Sequence, residues 1–316
     1  MPSDILLETN LPLPLFRRGK VRDLYDLDDK LLIVSTDRIS AFDVILPCGI
    51  PGKGKVLNQL SAFWFEKTAH IIPNHLIKVV NSNVILNEVK NLLDHPEELP
   101  DYPIGRSMIV AKAERIPVEC VVRGYLTGSA WVEYRESGAV SNFRLPAGMK
   151  ERQELPQPLF TPTTKSETGH DRPLTDQDIK NLEKMFAVKL KQSNLSLVKE
   201  LEEKSLLIYR YAQNYAQSKG IIIADTKFEF GFVNGKLMLI DELLTPDSSR
   251  FWDARQYEVG HSQASLDKQP VRDWLLASGW NMEPPAPTLP PEVIEATTQR
   301  YSKIYQLFTG RCITDY

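Results

Sequence analysis

Cysteine is scarce in this chain: Cys48, Cys120 and Cys312 are the only three in 316 residues. An odd, widely spaced set offers no disulfide framework, and a reducing cytoplasm is the expected setting. Long apolar runs are missing too. The longest, such as Leu31–Val34 and Ile221–Ala224, fall far short of the ~20 residues needed to span a bilayer. The N-terminal Met-Pro-Ser-Asp-Ile-Leu-Leu-Glu lacks a basic start followed by an apolar stretch, so a secretory leader is not expected. Neither sign of charge dominates: 38 Lys and Arg against 41 Asp and Glu give a net charge of −3. That balance argues against a basic nucleic-acid binder while leaving room for local anion pockets.

Motifs that would settle the chemistry at a glance are also absent. There is no G-x-x-x-x-G-K-[ST] and no G-x-G-x-x-G. Gly52-Lys53-Gly54-Lys55 has the residue types of a phosphate loop but not the spacing. No H-E-x-x-H occurs, and the histidines at 70, 75, 95, 170 and 261 are scattered, which argues against zinc. No G-x-S-x-G marks a hydrolase elbow, and no 20–50-residue period marks a solenoid.

What is present is an ordinary globular composition, 42% hydrophobic and 25% charged, in a chain about twice the length of one typical domain. Leu31–Val34 reads as a buried strand after the polar turn Asp26–Lys30. A helical pattern runs from about Lys55 to Ile72, with Val56, Leu60, Phe63, Trp64 and Ile71 at helix spacing and Pro73 closing it. A loop rich in proline and acid follows at Asp94–Pro103, and the domain boundary is placed near Arg115, giving residues 1–115 and 116–316. Ile116–Val122 is another apolar run, and a polar stretch follows from Pro156 to Pro173. Thr175 and Asp178 form a capping box that opens a helix with Ile179, Leu182, Met185, Phe186 and Leu190 on one face. A second helix spans Ser196 to Lys219, with Gly220 as its stop. Ile221–Ala224 reads as a strand, and Lys227–Val233 with Lys236–Ile240 as a hairpin around Asn234-Gly235. A proline-rich bend leads into a last helix from Pro291 to about Phe308. The fold class is α+β.

The most informative stretch is Asp225-Thr-Lys227-Phe-Glu229-Phe-Gly231. Strand alternation puts Asp225, Lys227 and Glu229 on one face and Phe228, Phe230 and Phe232 on the other. Carboxylates beside a lysine suit Mg²⁺ and phosphate, although a salt-bridge ladder on a solvated strand has the same pattern. The hairpin returns into Asp241-Glu242. With an ideal two-residue turn Val233 faces Lys236 and Glu229 faces Ile240, so Glu242 shares the face of Glu229 and Asp241 points away unless a bulge or twist intervenes. Spacing alone leaves either acid as the second metal ligand.

Three further groups suit anions. Thr245–Asp253 gathers hydroxyls around Arg250, which alone reads as a capped loop leading to a helix with Arg250 paired to Asp247 or Asp253. Arg123 leaves an apolar strand before Gly124, Gly128 and Ser129, glycines that let a backbone approach a ligand. Arg17-Arg18-Gly19-Lys20-Val21-Arg22 surrounds one glycine with cations at a strand–turn–strand, and the hydroxyl-rich Phe160–Thr168 carries Lys165. Together they indicate Mg-ATP and a second, phosphorylated substrate.

At these residues the sequence resembles the SAICAR synthetase family. The matching blocks are Gly19–Tyr25, Ser40–Asp43, Val118–Gly124 with Gly128-Ser129, Asp225–Gly231, and Asp241-Glu242 followed by Pro246–Arg250. The insertion around 135–175 and the extended C-terminal end resemble the family's longer form. The resemblance implies an ATP-dependent ligase that joins L-aspartate to the carboxylate of the carboxylated aminoimidazole ribotide CAIR, giving SAICAR, ADP and phosphate through an acyl phosphate. It implies a β-rich, kinase-like N-terminal lobe and a larger ATP-grasp-like lobe with ATP in the cleft between them. It also implies roles. Lys20, Val21 and Arg22 cover the ATP phosphates with Lys165 nearby; Glu229 and Asp241 hold Mg²⁺; Lys227 neutralises phosphate or the CAIR carboxylate. Arg123, Ser129 and Arg250 hold the ribotide phosphate, and Asp225 and Asp43 lie near the imidazole and the aspartate. No nucleic acid or membrane partner is implied, and a monomer is expected. A small-molecule kinase would show ADP formation without aspartate. A nucleotide sensor would bind ATP without turnover.

Overall fold

The computed structural model describes residues 5–80, 100–165, 171–189 and 195–313. The first sheet is built from strands β1 (Leu15–Arg18), β2 (Arg22–Leu27) and β3 (Lys30–Ser35). A two-stranded ribbon follows, β4 (Arg38–Ala41) and β5 (Val44–Gly49), and then helix α1 (Lys53–Thr68). Strands β6 (Leu76–Val79) and β7 (Ser107–Ala111) complete an antiparallel sheet in the order β1-β2-β3-β7-β6. The β2 burial alternates, with Asp23, Tyr25 and Leu27 inside, as a strand with one wet face requires.

The second sheet begins with β8 (Glu114–Arg115) and β9 (Val118–Tyr125). Helix α2 (Ser129–Ser137) and the short strands β10 (Ala139–Val140) and β11 (Phe143–Arg144) form an excursion before β12 (Glu154–Phe160) and β13 (Thr163–Thr164). Helices α3 (Asp176–Met185) and α4 (Leu197–Ser218) lead to β14 (Ile221–Val233), β15 (Lys236–Ile240) and β16 (Ser249–Asp253). The path is β12-β9-β14-β15, with β13 on β9 and both β8 and β16 on β14. Helices α5 (Gln269–Ala277) and α6 (Pro291–Thr309) follow. No helix among the described residues is long and apolar enough to cross a membrane.

The spine is β14. The two strands expected at Ile221–Ala224 and Lys227–Val233 are one element of 13 residues. Its first half pairs with β16 and β9, and its second half pairs with β15 in the register expected of a two-residue turn, Val233 with Lys236 and Glu229 with Ile240. Phe228, Phe230 and Phe232 are buried in a core that also takes Leu31 and Ile33 from the first sheet. Helix α1 lays Leu60 and Trp64 on this core, with Trp64 edge-on to Phe308 of α6 at 5.1 Å.

Some details differ from the sequence reading. Helix α1 starts at Lys53, whose fully buried ammonium pairs with Asp247 at 2.8 Å. On α3 the capping box at Thr175 is present and Leu182 and Phe186 are buried, but Met185 is exposed. The chain after Thr245 enters a strand, β16, rather than a helix. Leu190, residues 94–99 of the proline-rich loop and residues 166–168 of the hydroxyl-rich loop lie outside the described residues.

Candidate active site

Asp225, Lys227 and Glu229 lie at alternate positions on one face of β14, about 7 Å apart along the strand. Each meets a different partner. Lys227 donates to Glu119 on β9. Phe228 faces Cys120 in the β14–β9 register, so one step further Glu229 lies opposite Glu119. Like charges placed so repel, and Lys165 resolves the conflict by donating to Glu119 at 2.9 Å and to Glu229 at 2.5 Å. Glu119 is buried, and burial alone would raise its carboxyl; Lys227 and Lys165 outweigh that and hold it below the ordinary value.

At the far end of the hairpin β15 stops at Ile240, and Asp241 takes a left-handed backbone, φ 69°. The turn brings its carboxyl close enough to that of Glu229 for each to affect the other's ionisation. Asp241 also accepts from Arg22 at 2.7 Å, and Glu242 stands 3.5 Å from the same guanidinium. Arg22 thus ties β2 of the first sheet to the acids of the second. Burial, and then Asp241, push the Glu229 carboxyl up. Burial also works against ionising Asp241, but Arg22 and Lys165 hold its carboxyl down. Glu242 is raised by burial and is capped by the Thr245 hydroxyl at 2.5 Å. The result is a chain of charged groups in which cations flank the acids: Arg22 holds the acid pair Asp241 and Glu229 at one end, Lys165 bridges Glu229 to Glu119, and Lys227 closes the other end.

The other cluster surrounds Asp225, which is buried beside two arginines. Arg250 of β16 donates to it, and the Arg123 guanidinium is 3.6 Å away. Arg123 also donates to the hydroxyls of Thr161 at 3.0 Å and Ser129 at 3.2 Å. Burial lowers Arg123, whereas Asp225 raises Arg250. Gly128 sits at φ 59°, and a Cβ there would stand 2.7 Å from the Arg250 guanidinium, so the backbone beside this arginine leaves no room for a side chain. Lys20 and Asp43, both exposed, pair at 2.6 Å beside the β1–β2 turn.

Arg250 is paired with neither Asp247 nor Asp253. Asp247 takes Lys53 and the Tyr301 hydroxyl, the latter at 2.5 Å, while Asp253 takes Arg255. Gly124 was expected to admit a ligand, but the space above it holds the Tyr209 side chain of α4. Glu119 was missed as a site residue. Its signal was its place two residues from Val121 and four from Arg123 on an alternating strand, which puts it on their face.

The carboxylate pair fits a magnesium ion. Mg²⁺ is held by one or two carboxylates completed by substrate phosphates and water. Glu229 and Asp241 would supply two oxygen ligands whose mutual repulsion a divalent cation would relieve. Among the described residues no group of three or more His, Cys, Asp or Glu converges, so the remaining ligands would come from phosphate and water.

Two arginine–hydroxyl and lysine–carboxylate clusters on one strand, facing a cationic turn of the neighbouring sheet, define an enzyme of phosphorylated, anionic substrates. The sequence profile of SAICAR synthetase matches residues 15–287. The phosphoribosylaminoimidazole-succinocarboxamide synthase of Thermodesulfovibrio yellowstonii is 50% identical over 312 residues, 98% of this chain and 100% of that protein. That of Desulfosudis oleivorans is 47% identical, over 98% of this chain and 100% of its own. Among solved structures, SAICAR synthase from Saccharomyces cerevisiae complexed with SAICAR is 40% identical, with a TM-score of 0.80 over 97% of this chain and 99% of that one. A type-2 SAICAR synthetase in complex with ADP is 27% identical, with a TM-score of 0.63 over 94% and 98%. The chain belongs to the SAICAR synthetase family, the ADP-forming, ATP-dependent ligases of purine biosynthesis that join L-aspartate to CAIR.

Proposed function

We propose that this chain makes SAICAR through an acyl phosphate, with ATP in a cleft between a kinase-like lobe, residues 1–115, and an ATP-grasp-like lobe, residues 116–316. The observation that carries the reading is the charge chain from Arg22 to Lys227 lying on the same strand face as the Arg123–Asp225–Arg250 cluster. A carboxylate is a poor acyl donor. Its oxygen attacks the γ-phosphorus and ADP leaves; the aspartate nitrogen then attacks the acyl carbon, phosphate leaves and the nitrogen loses its proton.

The turn at Lys20–Arg22 covers the ATP phosphates and Lys165 neutralises them from the other side. Glu229 and Asp241 would hold Mg²⁺, which would supply neutralisation of the phosphate charge. Lys227 stands where the CAIR carboxylate meets phosphate. Arg123, Ser129 and Arg250 grip the ribotide phosphate, Arg with two parallel donors. Asp225 and Asp43 orient the imidazole and the incoming aspartate. The contribution of these side chains is positioning and electrostatic stabilisation. The chain acts in the cytoplasm as a monomer.

The test is ADP release with Mg-ATP, CAIR and L-aspartate, omitting each in turn, using CAIR labelled with ¹⁸O in its carboxylate. Turnover that needs all three substrates and moves one ¹⁸O into inorganic phosphate is expected. ADP release without aspartate and without SAICAR would favour a kinase, and unlabelled phosphate would rule out the acyl phosphate.

A further inference from the structure

We infer that Arg38 is a positioning residue for ATP: its buried guanidinium fixes the Gly19–Arg22 turn so that the backbone amides of Lys20, Val21 and Arg22 face the nucleotide phosphates. This rests on the proposed placing of that turn over ATP.

Arg38 is at the start of β4 and only 8% exposed. Its five N–H groups meet five acceptors. Nε donates to the Lys20 carbonyl at 3.1 Å and Nη2 to the Gly19 carbonyl at 3.0 Å. Nη1 donates to the Leu7 carbonyl at 2.6 Å, and the two terminal nitrogens grip the fully buried Asp23 at 2.7 and 3.4 Å. The next carbonyl, Val21, is held by both the amide and the hydroxyl of Thr36, at 3.0 and 2.9 Å. Three successive carbonyls are therefore tied to the interior. In a planar trans peptide the N–H points opposite to the C=O, so the amides of Lys20 and Val21 are turned away from Arg38 and that of Arg22 is turned away from Thr36. Those of Lys20 and Val21 donate to no acceptor among the described residues. Consecutive outward amides form an anion-binding concavity. A cluster of backbone donors explains why the position between Lys20 and Arg22 is filled by an apolar, buried valine. Its side chain packs inward while its amide serves the ligand.

The experiment compares ADP and adenosine binding by calorimetry in the full chain. Arg38→Lys keeps a cation beside Asp23 but has no planar fork to reach two carbonyls. ADP affinity is expected to fall at least tenfold while adenosine affinity stays within twofold, and KM should rise for ATP but not for CAIR. Equal losses for ADP and adenosine would show a merely structural role and overturn the inference. Lys20→Gln separates the two readings. If it weakens ADP and Arg38→Lys does not, Arg38 fails alone; if neither variant weakens ADP, the turn does not bind phosphate and both readings fail. Should Arg38→Lys not fold, hydrogen exchange in the unmodified chain decides. Protection of the 20–22 amides by ADP is expected, and unchanged exchange would overturn the inference.

Discussion

Asp241 meets Glu229 because its backbone, at φ 69°, leaves the strand one residue after Ile240. In an unbroken strand the alternation would send it to the opposite face and put Glu242 beside Glu229. Aspartate tolerates the left-handed region better than most residues, and here Arg22 rewards the turn with a hydrogen bond of 2.7 Å.

The two acids are therefore unequal. Asp241→Asn should lower kcat by about 10²-fold or more, the scale of losing one electrostatic group at a reacting phosphate, and should raise the Mg²⁺ concentration needed for half activity. Glu242→Gln, which alters a carboxyl capped by Thr245, should cost less than about tenfold. Steady-state rates across a Mg²⁺ titration distinguish the two. A deeper loss in the Glu242 variant would reassign the ligand.

Glu119 gives a pH dependence with a definite sign. Its folded-state carboxyl lies below the ordinary value of 4.5 because Lys227 and Lys165 outweigh burial. The unfolded chain therefore takes up protons first on acidification. The stability this provides is fully present above pH 4.5 and is lost as pH falls through the folded value. Glu119→Gln should destabilise the protein at pH 7, and the difference from the unmodified chain should shrink as the pH is lowered below 4.5. Urea unfolding at a series of pH values measures it. A difference that grows on acidification would mean that the lysines do not hold this carboxylate.

The strand carrying the site was legible because its period is simple: charged and phenylalanine residues alternate, and Asn234-Gly235 fixes the hairpin register. What alternation does not contain is a residue leaving the strand, hence the open choice between Asp241 and Glu242. Nor does it contain which strand lies alongside. Glu119 became a site residue only when β9 paired with β14 and set it across from Glu229. Arg250 was similarly ambiguous. Asp247 and Asp253 are near in sequence, yet antiparallel pairing of β16 with β14 places Asp225 opposite Arg250.

The close approach of Gly128 to Arg250 predicts a selective defect. Alanine there is strained at φ 59° and its Cβ would press on Arg250. Gly128→Ala should raise KM for CAIR by roughly tenfold or more, as expected when a bidentate charge-assisted contact is displaced, with KM for ATP little changed. Equal changes in both constants would place Gly128 outside the ribotide pocket.

Gly124 tests the packing of β9 against α4. A Cβ at this position would fall 1.9 Å from the Tyr209 hydroxyl oxygen and 2.8 Å from Cζ, while the hydroxyl donates to the Ile223 carbonyl at 2.6 Å. Tyr209 is fully buried, so neither strand nor helix yields without disturbing β14. Gly124→Ala should cost about 1–3 kcal/mol, the range for overpacking a core. Tyr209→Phe should cost about 1 kcal/mol for the lost hydrogen bond. In the double variant the worst clash disappears with the hydroxyl, although Cζ still crowds the new methyl. The double loss should therefore fall short of the sum by about 0.5–2 kcal/mol, a coupling typical of residues in contact. Denaturant unfolding of the four proteins completes the cycle. Strict additivity would mean that the alanine is accommodated by backbone movement, not by contact with Tyr209, and a kcat that falls with stability would show that β14 carries the displacement into Asp225 and Lys227.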